Sequence, residues 1–319
     1  MAYQVPPVLF IIFNRPSTTE VVLEEIRKAK PKKLFIAADG PRKGRPEDNA
    51  KCQAARAVAS KIDWDCEVKT LFRDENLGCG RGPAGAISWF FDHVEEGIII
   101  EDDVKPAPEF FRFCAEMLER YRDDTRVMEI AGSSLPNSIV KNSPHSYFFS
   151  DWDNIWGWAT WKRAWKHFDY EIKNYPEVTK RGYLLSNYSS IHERYHLEFM
   201  LGRSYYESDK VTWWDPQWGF ARKINSGLVV VPTRNMILNL GFGGDATNTH
   251  DGSQLSDMKI EQMEFPLKHP EFVIRDKVID DEVFRKYSTT AISRLKGKIK
   301  SITPGWIHGI ISRAPRRVS

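Results

Sequence analysis

The chain lacks the features that mark several common classes of protein. Its four cysteines are scattered and form no C-x-x-C pair, so zinc-motif spacing is absent. Scattered cysteines in 319 residues suit a reducing compartment, where they serve as small apolar core residues. Acidic and basic residues nearly balance, leaving a net charge of +3. A balance of this kind gives no nucleic-acid signature, so we expect no nucleic-acid partner.

Membrane-spanning and secretory signals are also missing. No apolar run reaches the roughly 18–20 residues that a transmembrane helix needs. The first seven residues contain no basic segment, and N-R-P at residues 14–16 soon interrupts the apolar run that follows. Such a start is a poor signal peptide. These absences predict a cytoplasmic protein.

Glycine-rich phosphate-binding motifs are absent as well. The sequence has no Walker A motif and no G-x-G-x-x-G after the first predicted strand. The glycines around the third predicted helix have another spacing: Gly78, Gly80, Gly82 and Gly85. This pattern argues against kinases and dehydrogenases. A bound diphosphate would then be neutralised by a metal ion, helped by a base such as Arg15 or Arg81.

Apolar runs alternate with helical patterns through the first third of the chain. The predicted strands are residues 8–13, 33–38, 66–72 and 97–100, and the predicted helices are residues 18–30, 47–60 and 81–93. This alternation predicts βαβ units, right-handed crossovers and an α/β fold with a mostly parallel sheet. The second half is less regular, with strand-like runs at residues 126–131, 146–149 and 228–232.

Polar residues follow the predicted strands. In an open parallel sheet, ligands bind outside the carboxyl ends of the strands. Glu101, Asp102 and Asp103 directly follow an apolar run, and three adjacent acids repel each other unless a cation lies among them. Mg²⁺ or Mn²⁺ with oxygen ligands would supply that charge. The alternative is a solvated acidic turn.

Tryptophans form the second signal. They lie in two stretches, with Trp152, Trp156, Trp158, Trp161 and Trp165 in the first and Trp213, Trp214 and Trp218 in the second. Indole faces pack well on the C–H faces of sugars, although core packing is the alternative. Trp158, Trp161 and Trp165 have helical spacing, which favours core positions. Trp156 and Trp214 adjoin glycine or acidic residues and are the acceptor-binding candidates.

Several segments resemble known glycosyltransferases over roughly residues 5–250. GIIIEDDVKPAPEFF resembles the metal-site segment of the eukaryotic Golgi N-acetylglucosaminyltransferases that start complex N-glycan branches. PPVLFIIFNRP resembles their first strand, and ADGPR the end of their second. WGWATWKRAW and the later LNLGFGGDATNTH are similar to bacterial hemolysin-related glycosyltransferases of the GT-A fold.

The resemblance implies a GT-A fold, a nucleotide-sugar donor, a divalent metal and inversion at the anomeric carbon. Asp103 matches the family's metal ligand, and Asp102 the acid that faces the donor ribose or sugar. Asp39 lies where the family contacts uracil or ribose. His250 lies where many of these enzymes have a histidine near the metal. Together with Asn14, Arg15, Arg81 and Glu101, these residues form the predicted donor and metal site.

The catalytic base is predicted at Asp215. An inverting transfer needs a general base within hydrogen-bond reach of the acceptor hydroxyl. Asp215, in WWDPQW, lies where the family places its catalytic carboxylate, although the Golgi enzymes have two successive acids there. Asp151 and Asp153, beside the first tryptophan stretch, are the alternatives. A structural Asp that stabilises a turn before Pro216 is the non-catalytic explanation.

The sequence thus predicts a metal-dependent inverting glycosyltransferase that uses Mn²⁺ or Mg²⁺. The donor would be a UDP-sugar such as UDP-N-acetylglucosamine, and the acceptor a glycan or glycolipid. Residues 1–265 would form the catalytic domain, with a donor half at 1–103 and an acceptor half at 104–265. Residues 266–319 would form a C-terminal extension. The alternatives are a sugar-1-phosphate nucleotidyltransferase, whose Gly-rich basic loop is missing here, and a non-catalytic carbohydrate- or nucleotide-binding protein.

The C-terminal segment, residues 285–319, is strongly basic. It contains nine Lys or Arg residues and no Asp or Glu, interleaved with isoleucines and Trp306. Basic segments with apolar residues are typical of contact with anionic membrane surfaces. The alternative is a helix that packs one face on the domain.

We expect truncation of residues 285–319 to release the protein from anionic vesicles, measured by co-sedimentation. Polybasic attraction to lipid is screened over a Debye length of about 8 Å at physiological salt, so binding of the full chain should weaken as salt rises. Equal vesicle binding by the full and truncated chains would exclude this role.

Overall fold

The computed structural model of the protein describes residues 3–135, 138–152, 154–184, 188, 191–241 and 258–286. The strands are β1 (Val8–Ile12), β2 (Lys33–Ala38), β3 (Glu67–Phe72), β4 (Glu96–Glu101), β5 (Val104–Pro106), β6 (Val127–Ala131), β7 (Tyr147–Ser150), β8 (Trp158–Trp161), β9 (Leu228–Pro232) and β10 (Ile237–Asn239). The helices are α1 (Pro16–Ala29), α2 (Pro46–Ala59), α3 (Gly78–Phe91), α4 (Pro108–Arg120), α5 (Ser138–Lys141), α6 (Lys162–Trp165), α7 (Tyr175–Lys180), α8 (Ile191–Tyr206) and α9 (Asp215–Ile224).

An eight-stranded sheet with the order β3-β2-β1-β4-β8-β6-β9-β7 forms the centre of the fold. β3, β2, β1 and β4 are parallel to one another, and β6 is parallel to β9. β8 is antiparallel to both β4 and β6, and β7 is antiparallel to β9. β5 and β10 form a separate antiparallel pair. The predicted α/β fold class, with a mostly parallel sheet, is confirmed.

Helices cover both faces of the sheet because successive side chains of a strand point to opposite faces. In β1, Phe10 belongs to the core layer that includes Ile26 of α1 and residues of α2 and α4. Leu9 belongs to the opposite layer, which includes Ile87 of α3 and Trp218 of α9. Two buried layers, one on each face, therefore hold the sheet in place.

The stretch Trp158–Trp161 is strand β8, not the helix that the spacing of its tryptophans favours. Side chains three positions apart share a face on a helix but lie on opposite faces of a strand. Accordingly, Trp158 packs in the layer of α3 and α9, whereas Trp161 packs in the layer of α1 and α4. The predicted core positions of Trp158, Trp161 and Trp165 are confirmed, since all three are buried.

Residues 268–286 pack against the β7 edge of the sheet. Phe149 and Arg275 form a parallel bridge, and residues 277–286 are helical. Asp280 is 2% exposed and accepts a hydrogen bond from Ser150 Oγ at 2.6 Å. The beginning of the predicted C-terminal extension is therefore packed onto the sheet.

The remainder of the basic tail, residues 287–319, lies outside the described residues. Among the described residues, no helix combines the length and apolar character needed to cross a bilayer. Membrane contact through the tail stays a prediction.

Candidate active site

The ends of β1 and β4 meet at a cluster of carboxylates, here called the acidic centre: Glu101, Asp102 and Asp103. Asp102 is 5% exposed and accepts a hydrogen bond from the backbone N–H of Phe13 at 2.8 Å. Arg15 Nη1 lies 2.6 Å from Asp103 Oδ2 and 3.5 Å from Asp102 Oδ1. The structure thus brings Arg15 and the acidic triplet together, as the strand-end argument predicted.

The acidic centre holds more negative charge than Arg15 neutralises. Burial, followed by repulsion from Asp103, Asp102 and Asp215, raises the pKa of Glu101 to about 8. Burial and repulsion from Asp103 raise the pKa of Asp102 to about 7. Attraction to Arg15 opposes both shifts without cancelling them. A further cation would relieve this repulsion.

Asp215 is the first residue of α9 and is half-buried. It lies close enough to the acidic centre for its charge to raise the pKa of Glu101. Trp214 precedes the helix, and Pro216 occupies its first turn, a position where proline is favoured. The sequence around Asp215 therefore starts a helix and aims the N-terminal end of that helix at the centre.

Cys79, in the first turn of α3, also adjoins the acidic centre. Desolvation of the sulfur atom by its surroundings raises the pKa of the thiol, although the residue as a whole is exposed, and the charge of Glu101 raises it further. The sequence predicts all four cysteines as core residues. Cys52 and Cys114 are buried, but Cys79 is exposed. A single cysteine in a glycine-rich stretch has no sequence pattern that predicts its position beside the acidic centre.

Asn239 and Asp103 form a set of oxygen atoms beside the acidic centre. β10 pairs with β5, and Leu240 N donates to the backbone oxygen of Asp103 at 2.7 Å. A Cβ on Gly241 would lie 3.0 Å from Asn239 Oδ1 and closer still to Asp103 Oδ2. Asn239 Oδ1 accepts a hydrogen bond from the Gly241 N–H at 2.7 Å, and Asp103 Oδ2 is the oxygen paired with Arg15. No sequence pattern singles out Asn239.

These oxygen atoms fit a hard divalent cation. Mg²⁺ typically uses one or two carboxylates and completes its shell with water and substrate phosphate oxygens. Within the described ranges, no three His, Cys, Asp or Glu side chains converge as a preformed metal-ligand set. Asp103, with Asn239 beside it, stays the predicted carboxylate ligand of the ion. The predicted ligand His250 lies outside the described residues.

Asp39 anchors the start of α3. Its carboxylate accepts hydrogen bonds from the backbone N–H groups of Leu77, at 2.9 Å, and Gly78, at 3.0 Å. Negative charge at a helix N-terminus is stabilising because the dipole and the unpaired N–H groups face it. Asp39 thus positions the loop between β3 and α3 next to the predicted nucleoside site.

Asn14 is held by a buried carboxylate. Its Nδ2 donates to Asp48 Oδ1 at 2.8 Å, and Arg42 Nε donates to Asp48 Oδ2 at 2.6 Å. The hydrogen bond from Arg42 lowers the pKa of Asp48, which is completely buried. This network fixes the chain after β1 against the loop after β2.

A polar groove with a volume of about 670 Å³ lies beyond the ends of β2 and β3. Its lining residues are Pro41, Arg42, Lys43, Gly44, Arg45, Pro46, Asn49, Asp74, Glu75 and Asn76. Through Arg42, Asp48 and Asn14, the groove connects to the chain segment that carries Arg15. A ligand spanning the groove and the acidic centre would meet both bases and carboxylates.

Arg81 lies on α3 and contacts the 170–171 segment. Its Nη2 atom is 2.7 Å from Glu171 Oε1, and its guanidinium lies 4.3 Å from the ring centroid of Tyr170. About half of the Arg81 side chain is exposed. Its role toward a diphosphate stays a prediction.

Trp214 is a core residue, which corrects its assignment to acceptor binding. It is 3% exposed and stacks on Trp158, with ring centroids 5.8 Å apart. Trp165 approaches it edge-on at 5.9 Å. The neighbouring Asp215 favours a surface position for Trp214 in the sequence. In the structure, Trp214 precedes α9 and faces the core. Trp156 is half-buried and keeps part of its surface available to a ligand.

Asp151, an alternative base, belongs to an ion-pair network. Its carboxylate accepts a hydrogen bond from Tyr188 Oη and lies 3.3 Å from Lys223 Nζ. Burial alone would raise its pKa, but attraction to Lys223 and the Tyr188 hydrogen bond outweigh burial and lower it. A carboxylate held in this way is a weak proton acceptor. Asp153, the other alternative, lies outside the described residues.

Comparisons with known proteins yield remote structural similarities. HddC from Yersinia pseudotuberculosis matches with a TM-score of 0.33 and 11% identity, over 54% of this chain and 85% of that chain. The inositol-1-phosphate CTP transferase from T. maritima matches with a TM-score of 0.36 and 8% identity, over 72% of this chain and 86% of that chain. No protein-family model and no curated protein sequence matches the chain. Similarity of this size does not identify an activity.

We expect Glu101→Gln to stabilise the metal-free protein increasingly as pH rises. The folded protein keeps Glu101 protonated up to about pH 8, whereas the unfolded chain releases the proton near the ordinary value of 4.5. Stability of the wild type therefore falls across that window, by up to about 1.4 kcal/mol per pH unit for one proton. Thermal unfolding in EDTA should show similar melting temperatures near pH 5 and a higher one for the variant at pH 8. The same difference in melting temperature between variant and wild type at pH 5 and at pH 8 would contradict this account.

We expect Asp103→Ala to weaken Mn²⁺ binding by at least about tenfold, since even outer partners of a metal site contribute that much. Calorimetric titration of the folded protein measures this directly. Asp92→Ala, an exposed site at the end of α3, is the matched control and should bind Mn²⁺ like the wild type. Equal Mn²⁺ affinity of the Asp103 variant and the control would remove Asp103 from the metal site.

Proposed function

We propose that the chain is a metal-dependent inverting glycosyltransferase that moves a sugar from a nucleotide-diphosphate donor to an acceptor hydroxyl. One observation carries this proposal. The half-buried carboxylate of Asp215 acts electrostatically on Glu101 in a centre that also holds Asp103 and Arg15. In this proposal Asp215 would be the proton acceptor, Asp103 a cation ligand and Arg15 the positively charged side chain, at the carboxyl end of a parallel sheet, where such folds bind ligands.

The donor would lie across the groove and the acidic centre. The groove's mixture of bases, carboxylates and Asn76 offers both donors and acceptors to a nucleoside. Asp102 would face the donor ribose or sugar, as the resemblance implies. Arg15 would lie near the diphosphate, and Glu101 would also contact the donor. When bound, Mn²⁺ or Mg²⁺ would supply positive charge where the leaving diphosphate becomes negative.

Asp215 would accept the proton of the acceptor hydroxyl. Its position at the start of α9 leaves it half-buried, so it is partly shielded from water. Asp151 is the poorer choice because Lys223 and Tyr188 already engage it. Trp156, the half-buried acceptor candidate of the first tryptophan stretch, would pack on a glycan or glycolipid acceptor.

Nucleotidyl transfer to a sugar phosphate is the main alternative. That reaction consumes a nucleoside triphosphate and releases pyrophosphate, whereas glycosyl transfer releases a nucleoside diphosphate. The basic Gly-rich loop expected after the first strand is replaced here by Asn14-Arg15-Pro16. Phosphorus NMR distinguishes the two reactions when the protein is given Mn²⁺ with either UDP-N-acetylglucosamine or UTP plus N-acetylglucosamine-1-phosphate. Pyrophosphate release would support the alternative.

Donor identity can be tested by thermal shift, since a ligand that binds the folded state raises the melting temperature. A panel of nucleotide sugars, each with and without Mn²⁺, would show which base and sugar are recognised. Binding without turnover, at any metal concentration, would favour a non-catalytic carbohydrate- or nucleotide-binding protein.

We expect Asp215→Asn to reduce transfer by roughly a hundredfold to ten-thousandfold, the usual contribution of a general base. Asn keeps the shape of the side chain but loses its basicity, so donor affinity should change little. Transfer rates and donor binding, measured separately, test both parts. Asp209→Asn, the same substitution at a nearby exposed position, should leave both unchanged. Normal turnover by the Asp215 variant would show that the base lies elsewhere.

A further inference from the structure

Glu129 occupies an unusual position for a charged residue. It lies in β6, in the interior of the sheet, and is 0% exposed. A buried carboxylate is costly unless hydrogen bonds and an opposite charge compensate it. Glu129 therefore needs partners, and each partner constrains the element that provides it.

Two of these partners belong to α9. Trp218 Nε1 donates to Glu129 Oε2 at 2.8 Å. Arg222 Nε lies 3.0 Å from the same oxygen, and both side chains of this ion pair are 0% exposed. The carboxylate thus holds α9 at two successive turns.

The third partner belongs to the loop that precedes β8. The backbone N–H of Asn154 donates to Glu129 Oε1 at 3.0 Å. The Asn154 side chain also accepts from Ser133 Oγ at 2.6 Å. This loop continues to Trp156, the candidate acceptor contact. The Glu129 carboxylate therefore connects the loop that contains Asn154 and Trp156 to α9, the helix that begins at Asp215.

Helix geometry connects these contacts to Asp215. An α-helix turns about 100° per residue, so positions 215, 218 and 222 lie on one side of α9. The Glu129 contacts with Trp218 and Arg222 fix the rotation of α9 about its axis and its distance from the sheet. The direction of the Asp215 side chain follows from that rotation.

We propose that Glu129 is a positioning residue that sets the geometry between Asp215 and an acceptor bound at Trp156. This inference rests on the proposed function, because Asp215 is taken as the base. A misplacement of about 1 Å far from the reacting atoms can cost on the order of a hundredfold in rate. The contacts of Glu129 prevent such a displacement by holding both elements to the same side chain.

Glu129→Gln tests the proposal. An amide offers one acceptor oxygen and no charge, so it cannot accept from both Asn154 and Trp218 as the two carboxylate oxygens do, and it cannot form an ion pair with Arg222. We expect kcat to fall by about tenfold to a hundredfold, with acceptor KM and donor affinity within about twofold of wild type. Trp218→Phe, which removes one hydrogen bond and keeps the ion pair, is the milder second variant should Glu129→Gln not fold. It should change kcat in the same direction.

Thr160→Val is the matched structural control. Thr160 is 0% exposed, and its Oγ1 donates to the backbone oxygen of Met128, next to Glu129, without reaching α9. It should lower the melting temperature while kcat stays near wild type. If it lowers kcat as much as the Glu129 or Trp218 variant does, general destabilisation explains the effect and the proposal fails.

Double variants separate this proposal from the proposed function. If Glu129 acts through Asp215, then Glu129→Gln or Trp218→Phe should reduce kcat little further in the Asp215→Asn background, because residues that act as a unit are non-additive. Additive losses would overturn the positioning role while leaving Asp215 as the base. Normal turnover by Asp215→Asn alone would instead overturn the proposed function, and this inference with it.

Discussion

Repulsion among Glu101, Asp102 and Asp103 is the constraint around which this end of the molecule is arranged. The apolar strand β4 delivers three acids into a region where burial raises the pKa of two of them. The backbone N–H of Phe13 and the guanidinium of Arg15 partly compensate this charge. Because both belong to the end of β1, the parallel pairing of β1 with β4 is what makes the compensation possible.

The same repulsion explains why neighbouring segments present polar groups here. β10 runs beside β5, and Gly241, which follows β10, lies close to both Asn239 Oδ1 and Asp103 Oδ2. α9 adds another carboxylate, Asp215, rather than a positively charged side chain. Another negative charge beside the acidic centre lowers the stability of the folded protein. Residues that lower local stability in this way are typical of functional sites.

The two faces of the sheet have different roles in supporting this centre. On one face, α1 and α4 form an apolar layer that includes Phe110 and Phe111. On the other face, α3 and α9 pack around Trp158 and Trp218, and both helices begin next to the acidic centre. The buried Glu129–Arg222 pair lies at the base of this second layer. Tryptophan packing and one ion pair therefore fix the helix that carries Asp215.

Local sequence determined the first half of the fold. The predicted strands at residues 33–38 and 228–232 coincide with β2 and β9, and the other predicted strands and helices of the first hundred residues differ from the observed ones by at most three positions at either end. Apolar runs and helical periodicity report burial directly, so they predict where an element lies and which strand ends carry polar groups. Arg15 and the acidic triplet were recognised in this way.

Tertiary contacts determined features of the structure that hydrophobic periodicity in the sequence did not predict. The spacing of Trp158, Trp161 and Trp165 suits a helix, yet antiparallel pairing with β4 and β6 makes residues 158–161 a strand. Trp214 is a core residue because Trp158 and Trp165 pack against it. The approach of Asn239, Cys79 and Asp215 to the acidic centre likewise depends on contacts between residues far apart in the chain. Sequence alone specified which chemical groups end the parallel strands, and packing between distant segments decided which other groups meet them.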